Sequence, residues 1–168
     1  MRAALDKKRF GPWALVTGAS SGIGEEFARQ IAASGIHVAL VGRREPLLRT
    51  VGAECTRESG VQHRIIPLDL SEPDFLPVLA DATRDLDIGL VVSNAGTENP
   101  GEFLKLARQL LQATLRLSTM AQLHSWRISQ FLIGTSLPIL FVGHLKQGRN
   151  CLSWRPDFAI HASISRTV

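Results

Sequence analysis

Residues 17–24 carry the clearest chemical signal in the sequence, because three glycines and two serines fall within the run Thr-Gly-Ala-Ser-Ser-Gly-Ile-Gly. Backbone N–H groups bind phosphate at close range, and glycine lets the chain turn tightly and leaves room for the ligand. In such a run the first glycine forms the turn, the second makes space for a pyrophosphate, and the third lets the following helix pack on the preceding strand. The helix directs the positive end of its dipole toward the anion. The run therefore predicts a nucleotide site, with a purely structural turn as the alternative.

The apolar pattern around this run predicts a parallel sheet with helices on both faces. Strand-length apolar runs occupy residues 13–17, 37–41, 64–68, 88–92 and 139–142. These runs are nearly continuous rather than alternating, which is typical of parallel strands covered on both faces. Helical patterns fill residues 25–34, 46–59, 71–84 and 103–125. The repetition of strand, helix and strand predicts a doubly wound α/β sheet with right-handed crossovers.

Two of these helices carry more detailed predictions. Ser71 is predicted to cap the third helix, because two acids and a proline follow it as in a first helical turn. In the fourth helix, four leucines are predicted to share one broad apolar stripe. They are Leu104, Leu111, Leu115 and Leu123.

Length and composition predict one domain over residues 1–168, since 45% of the residues are hydrophobic and 20% are charged. The charge is uneven along the chain. Residues 1–102 contain 11 basic and 14 acidic side chains, whereas residues 103–168 contain eight basic ones and a single acid, Asp157. The basic side chains of the second part are scattered singly, and no recognition motif accompanies them, so we expect no binding to nucleic acid.

We expect a cytoplasmic protein without a metal site or a membrane span. No apolar segment typical of a secretory signal follows the basic residues 1–9, and Cys55 and Cys151 have no metal-ligand spacing and make no disulfide framework. Residues 128–145 lack Lys, Arg, Asp and Glu, which reaches the lower bound for a membrane span. Their glycines, proline and polar residues favour a loop followed by a buried strand.

Three segments, in order, resemble the short-chain dehydrogenase/reductase family. Residues 17–24 match its cofactor motif Thr-Gly-x-x-x-Gly-x-Gly, and Leu68-Asp69-Leu70 resembles its aspartate after the third strand, which holds the adenine. Residues 93–96, Ser-Asn-Ala-Gly, resemble its Asn-Ala-Gly turn after the fourth strand, with Ser93 where asparagine is usual. Residues 88–103 are similar to one bacterial branch of the family. The resemblance covers residues 10–123 well and residues 124–168 poorly.

The resemblance implies a Rossmann-like fold and an oxidoreductase that binds a dinucleotide and transfers hydride to or from a small carbonyl or alcohol substrate. It implies no oligomeric state for this chain. The implied cofactor contacts, together with Arg43 discussed below, are Gly18, Ser20, Ser21, Gly22, Ile23, Gly24, Asp69, Leu70, Asn94, Ala95 and Gly96.

The end of the second strand bears on the choice of cofactor. An acid there would bind the ribose 2′-hydroxyl and repel a 2′-phosphate, but Gly42 occupies the position and Arg43 and Arg44 follow. A guanidinium group binds phosphate in a bidentate manner. The sequence therefore favours NADP(H) over NAD(H), with Arg43 as the contact. The alternative is that one or both arginines are solvated loop residues, a description that fits Arg44 better.

The catalytic residues of the family are not matched. Its general acid/base is a tyrosine with a lysine four residues on, and this chain contains no tyrosine. Alignment places Ser118 at the family's helix asparagine, and His161 and Ser165 at the tyrosine and the lysine. Histidine titrates near neutrality and could exchange protons. The alternative is a histidine left by sequence drift or by a changed reading frame near residues 124–125.

Three hypotheses follow from this mismatch. The chain is an enzyme with His161 as its weakly supported acid, or a nucleotide-binding module without hydride transfer, which the sequence as written favours. The third is a truncated product that does not fold alone, because an incomplete sheet leaves apolar surface uncovered. The chain stops at Val168, just after the position of the family's lysine, so we expect the fold to be incomplete at its C-terminus.

Overall fold

The structure, a computed structural model, describes residues 5–96, 107–117 and 139–141, the last three by their backbone alone. Five parallel strands form one sheet in the order β3-β2-β1-β4-β5. The strands are β1 Trp13–Thr17, β2 His37–Gly42, β3 His63–Pro67, β4 Ile88–Ser93 and β5 Ile139–Phe141. The helices are α1 Lys7–Phe10, α2 Gly22–Ala33, α3 Glu45–Ser59, α4 Phe75–Thr83 and α5 Arg108–Leu115.

Helices cover both faces of the sheet, so the predicted doubly wound α/β fold is confirmed. On one face, Phe27 and Ile31 of α2 and Leu48 of α3 pack against alternate strand residues such as Val16 and Leu40. The opposite face is covered by another set of buried side chains. It includes Leu15, Val41, Ile66, Phe75, Leu79, Val91 and Leu117. Because both faces are covered, all six residues of β4 are buried, which explains the continuous apolar runs in the sequence.

The chain order of the strands creates a switch point in the sheet. After β1, the chain moves outward to β2 and β3, and then returns to place β4 on the other side of β1. The loops that follow β1 and β4 therefore diverge at their carboxyl ends and leave a crevice. The glycine-rich run 17–24 begins at the end of β1 and opens α2 in this crevice.

The predicted start of the third helix is wrong. The helix α4 begins at Phe75, with Asp74 at its N-cap, and Ser71 lies in the preceding turn. Ser71 instead donates its backbone N–H and its hydroxyl to Oδ1 of Asp69, over 2.9 and 2.7 Å. A serine followed by acids fits such a turn as well as it fits a helix cap, because both motifs satisfy local backbone groups.

The predicted apolar stripe is wrong at Leu115, which is 64% exposed, while Leu111 is half-buried. The buried side chain at this end of the helix is Leu117, at 7% exposure. Two residues correspond to about 200° around a helix, so Leu115 and Leu117 point in nearly opposite directions. Leu104 and Leu123 lie outside the described residues, as does most of the apolar run 128–145. Among the residues that the structure describes, no helix is long and apolar enough to cross a membrane.

Candidate functional site

A cleft of about 370 Å³ lies at the carboxyl ends of the strands, where the loops after β1, β2, β3 and β4 meet. Eleven of the twelve predicted cofactor contacts line it, and Gly24 is the exception. The lining residues are Gly18, Ser20, Ser21, Gly22, Ile23, Gly42, Arg43, Arg44, Leu68, Asp69, Leu70, Asn94, Ala95, Gly96 and Leu117. The fold therefore brings together residues that lie up to about a hundred positions apart in the sequence.

Two glycines of the run 17–24 have backbone conformations that other residues rarely adopt. Gly18 has a φ of 66° and Gly22 a φ of 61°, and a Cβ added at Gly22 would meet no heavy atom within 4 Å. Gly24 serves a different need, because a Cβ there would lie 2.3 Å from the carbonyl oxygen of Gly18. Gly24 thus lets α2 pack closely on the turn, while Gly22 leaves open space beside the first turn of the helix.

Thr17 joins the ends of the two central strands, and sequence reasoning missed this role. Its hydroxyl donates a hydrogen bond to the carbonyl oxygen of Val92 over 3.3 Å. It also accepts hydrogen bonds from the backbone N–H groups of Asn94 and Ala95, each over 3.0 Å. A hydroxyl has one proton to donate and two lone pairs, so all its hydrogen-bonding capacity is used. The available signal was a threonine at the end of a buried strand, directly before the turn glycine.

Asn94 fixes the glycine turn from the side of β4. Its Nδ2 atom donates to the carbonyl oxygens of Thr17 and Gly18, over 3.2 and 3.4 Å. Asn94 is 3% exposed, and its Oδ1 atom has no hydrogen-bond partner among the residues that the structure describes. Buried carbonyl oxygens usually accept a hydrogen bond, so Asn94 Oδ1 is an unused acceptor in a residue that lines the cleft.

The two arginines after β2 have different partners. Arg44, predicted as a solvated loop residue, is exposed in the loop and donates from one terminal nitrogen to Ser20 Oγ over 3.1 Å and to Ser21 Oγ over 2.6 Å. Nη1 of Arg43 lies 3.8 Å from Oδ2 of Asp69 and forms an ion pair with it. Arg44 is exposed in the loop after β2, as predicted, and the serine hydroxyls of the first loop also come within its reach at the switch point. Adjacent serines in the glycine run were the signal that could have indicated this contact.

The far wall of the cleft combines apolar side chains with one fixed carboxylate. Leu68, Leu70 and Leu117 line it, and Asp69 stands among them with Oδ1 held by Ser71. Apolar walls with one oriented polar group suit a flat ring whose edge carries hydrogen-bonding groups.

The predicted catalytic candidates, Ser118 and His161, lie outside the described residues, and so does Ser165. Within residues 5–96 and 107–117, no group of three or more His, Cys, Asp or Glu side chains is placed to hold a metal ion. The described part of the cleft presents amides, hydroxyls and guanidinium groups, which can bind an anionic ligand.

A parallel sheet with a glycine turn and a helix N-terminus at its switch point defines the Rossmann-like class of dinucleotide-binding folds. Within that class, the sequence model of the short chain dehydrogenases matches residues 12–132. The chain belongs to the short-chain dehydrogenase family.

Individual relatives resemble different lengths of the chain. A 7beta-hydroxysteroid dehydrogenase from Clostridium sardiniense is 30% identical over 164 residues, which are 96% of this chain and 62% of that protein. A very-long-chain 3-oxoacyl-CoA reductase from Candida albicans is 33% identical over 147 residues, or 84% of this chain and 41% of that protein.

Solved structures show the same fold. A short-chain dehydrogenase from Sphingobium yanoikuyae in complex with NADPH superposes with a TM-score of 0.70 at 30% identity, and the match covers 77% of this chain and 52% of that one. The chain therefore spans less than two thirds of the length of each of these three relatives.

The residues present fit the dinucleotide that this family implies. The cleft offers open space at Gly22 beside a helix N-terminus, which suits a diphosphate, and a Cβ at Gly18 would lie 2.9 Å from Asn94 Nδ2, so the turn admits only glycine. Two guanidinium groups stand at the same edge of the cleft. Arginine and serine side chains are donors that phosphate oxygens accept.

Proposed function

We propose that this chain binds NADP(H) as the cofactor-binding part of an oxidoreductase that transfers hydride to or from a carbonyl or alcohol substrate. The observation that carries the proposal is the convergence of the glycine turn, the serine pair and Arg43 and Arg44 on one cleft at the switch point. Binding of NADPH by the relative from Sphingobium yanoikuyae supports it. A cytoplasmic location belongs to the same proposal and is supported by the free thiol of buried Cys55.

Different groups in the cleft bind different parts of the dinucleotide. In the first turn of α2, backbone amides from Gly22 onward hold the diphosphate, and the open space at Gly22 lets it approach. Asp69 and the leucine wall hold the adenine ring. When bound, the nicotinamide ring supplies or accepts the hydride, and the side chains named here orient the dinucleotide.

Selectivity for the 2′-phosphate is assigned to Arg44 together with Ser20. The guanidinium of Arg44 donates hydrogen bonds to both serine hydroxyls, which direct it toward the cleft. Gly42 contributes no carboxylate at the end of β2, and hence no repulsion of a phosphate. The charge of Arg43 is partly neutralised by the carboxylate of Asp69.

Calorimetric titration of the full chain with NADPH and with NADH tests this proposal. We expect Arg44→Ala to weaken NADPH binding about tenfold to a hundredfold, since a hydrogen bond to a charged group contributes roughly 1.5–3 kcal/mol. NADH binding should change little. Arg49→Ala is the matched control, because Arg49 carries the same charge on α3 but pairs with Glu45 outside the cleft. No heat with either nucleotide from folded protein would overturn the proposal.

A second candidate function is dinucleotide binding without hydride transfer, and the absence of tyrosine from all 168 residues favours it. Oxidation of NADPH by the full chain separates the two candidates. The carbonyl panel should include a steroid ketone and a 3-oxoacyl thioester, after the names of the two relatives. Turnover that collapses in His161→Ala supports an enzyme with His161 as its acid, whereas NADPH binding with no turnover on any ketone supports the second candidate.

A further inference from the structure

The end of the sheet opposite the cleft holds two histidines with opposite hydrogen-bonding roles. His37 begins β2 and His63 begins β3, and between them runs the α3–β3 turn, residues 60–62. Nδ1 of His37 accepts the backbone N–H of Gln62 over 3.0 Å. A ring nitrogen that accepts a hydrogen bond carries no proton, so the neutral ring of His37 holds its proton on Nε2.

The neighbouring His63 has the other arrangement. Nδ1 of His63 lies 2.7 Å from Oγ1 of Thr56, and the same hydroxyl donates its one proton to the carbonyl oxygen of Val61 over 2.8 Å. Because that carbonyl oxygen can only accept, Nδ1 of His63 must be the donor to Thr56. A second proton on the His63 ring would enter at Nε2 and would leave this bond intact.

His37 has no free ring nitrogen for a second proton, because Nε2 already carries a proton and Nδ1 accepts the bond from Gln62. The second proton must enter at Nδ1, where it would face the N–H of Gln62 and replace an acceptor with a donor. We propose that His37 is a proton-operated clasp on the α3–β3 turn: a proton on Nδ1 breaks the bond from Gln62 and releases the turn. The turn leads directly into β3, the edge strand of the sheet, so release begins at an end where only one neighbouring strand holds the chain.

The surroundings of His37 set its pKa, and hence the pH range in which the clasp opens. The Trp13 ring of β1 lies 5.1 Å from the His37 ring between centroids, Lys7 of α1 acts on it through its charge, and the α3–β3 turn faces it with the amide of Gln62. Burial, and then the charge of Lys7, lower the pKa of His37 below its ordinary value of 6.5.

The sign of the effect on stability follows from this direction. A histidine whose pKa is lower in the folded chain takes up a proton more readily when unfolded. The stability that depends on neutral His37 is therefore complete above about pH 6.5 and is lost as the pH falls through the region below it.

Hydrogen exchange of the Gln62 amide, measured by NMR on the full chain and corrected for intrinsic exchange rates, tests the clasp. In the wild type, we expect protection to fall by about tenfold per pH unit as the pH approaches the pKa of His37 from above. His37→Asn should show no such fall, because an asparagine Oδ1 can accept the same bond and does not titrate. His63→Asn is the matched control and should behave as the wild type.

Protection that does not depend on pH in the wild type, or that falls equally in His37→Asn, would overturn the proposal. The ¹⁵N shifts of the two wild-type rings give a second measurement that needs no variant. Near neutral pH we expect an unprotonated Nδ1 on His37 and a protonated Nδ1 on His63, and a protonated Nδ1 on His37 is an overturning result as well. The clasp lies outside the cleft, so its test does not depend on dinucleotide binding.

Discussion

At the scale of single residues, the site is organised by side chains that need not touch a ligand. Thr17 and Asn94 link the ends of β1 and β4 and hold the glycine turn in place through five hydrogen bonds. Both residues are buried, at 2% and 3% exposure, so a group that loses its partner at the buried contacts between Thr17, Val92 and Asn94 cannot readily replace it with water. The geometry of the cleft thus depends on polar contacts behind it.

We expect Thr17→Val to lower the free energy of unfolding by about 3 kcal/mol, because the buried N–H of Asn94 and the half-buried N–H of Ala95 lose their acceptor, and an unsatisfied donor costs roughly 1–3 kcal/mol. Urea unfolding measures the change. Thr17→Ser is the matched control, since it keeps the hydroxyl and deletes one methyl group, and it should cost about 1 kcal/mol. Wild-type stability of Thr17→Val would show that the hydrogen bonds of the hydroxyl do not stabilise the chain at this position.

At the scale of elements, the sequence allowed the strands to be predicted within one or two residues, because a parallel strand covered on both faces has a continuous apolar run. The loops of the site could also be assigned, since the carboxyl ends of parallel strands share one edge. The adjacent residues Ser20 and Ser21 indicate a possible partner for Arg44, but the sequence does not establish the contact, because it depends on the angle between two loops. The burial of Leu117 instead of Leu115 depends on which side of α5 meets the sheet, which the spacing of leucines does not decide.

The N-terminal segment, residues 5–11, packs on the end of α2 and on β4. Leu5 donates its N–H to Ser34 Oγ over 3.1 Å, and Phe10 is 2% exposed against the sheet. A Cβ added to Gly89 of β4 would lie 2.1 Å from the carbonyl oxygen of Phe10. No side chain can move aside to relieve such a clash, so glycine at position 89 is what allows the segment to pack on β4.

Gly89→Ala is accordingly expected to destabilise the chain by about 2–3 kcal/mol through overpacking, even though glycine inside a strand is itself unfavourable. Thermal unfolding followed by circular dichroism measures the loss. Gly42→Ala is the control within another strand of the same sheet, because a Cβ there would make ordinary contacts, the nearest at 3.5 Å to Leu48. It should change stability by less than about 1 kcal/mol. Wild-type stability of Gly89→Ala would contradict the close packing of the segment.

At the scale of the whole molecule, the cleft connects parts of the chain that are far apart in sequence. Its walls come from the loops after four strands and from Leu117 beyond α5, and the strands that carry these loops form one hydrogen-bonded sheet. A ligand that spans the cleft contacts all these segments at once, so its binding energy is available only when the sheet is assembled. Ligand binding should therefore stabilise the chain as a unit rather than one loop.

Thermal unfolding in the presence of NADPH measures this coupling. A ligand that binds only the folded chain adds about 2.7 kcal/mol at a concentration one hundred times its Kd, which for a chain of this size corresponds to a rise in Tm of about 5–10 °C. Gly24→Ala should abolish the rise, because its Cβ would lie 2.3 Å from the Gly18 carbonyl oxygen and would push α2 away from the turn. Gly60→Ala, where a Cβ meets open space at a φ of 67°, should lower the starting Tm but keep the rise. A rise that persists in Gly24→Ala would mean that the nucleotide binds elsewhere than at the first turn of α2.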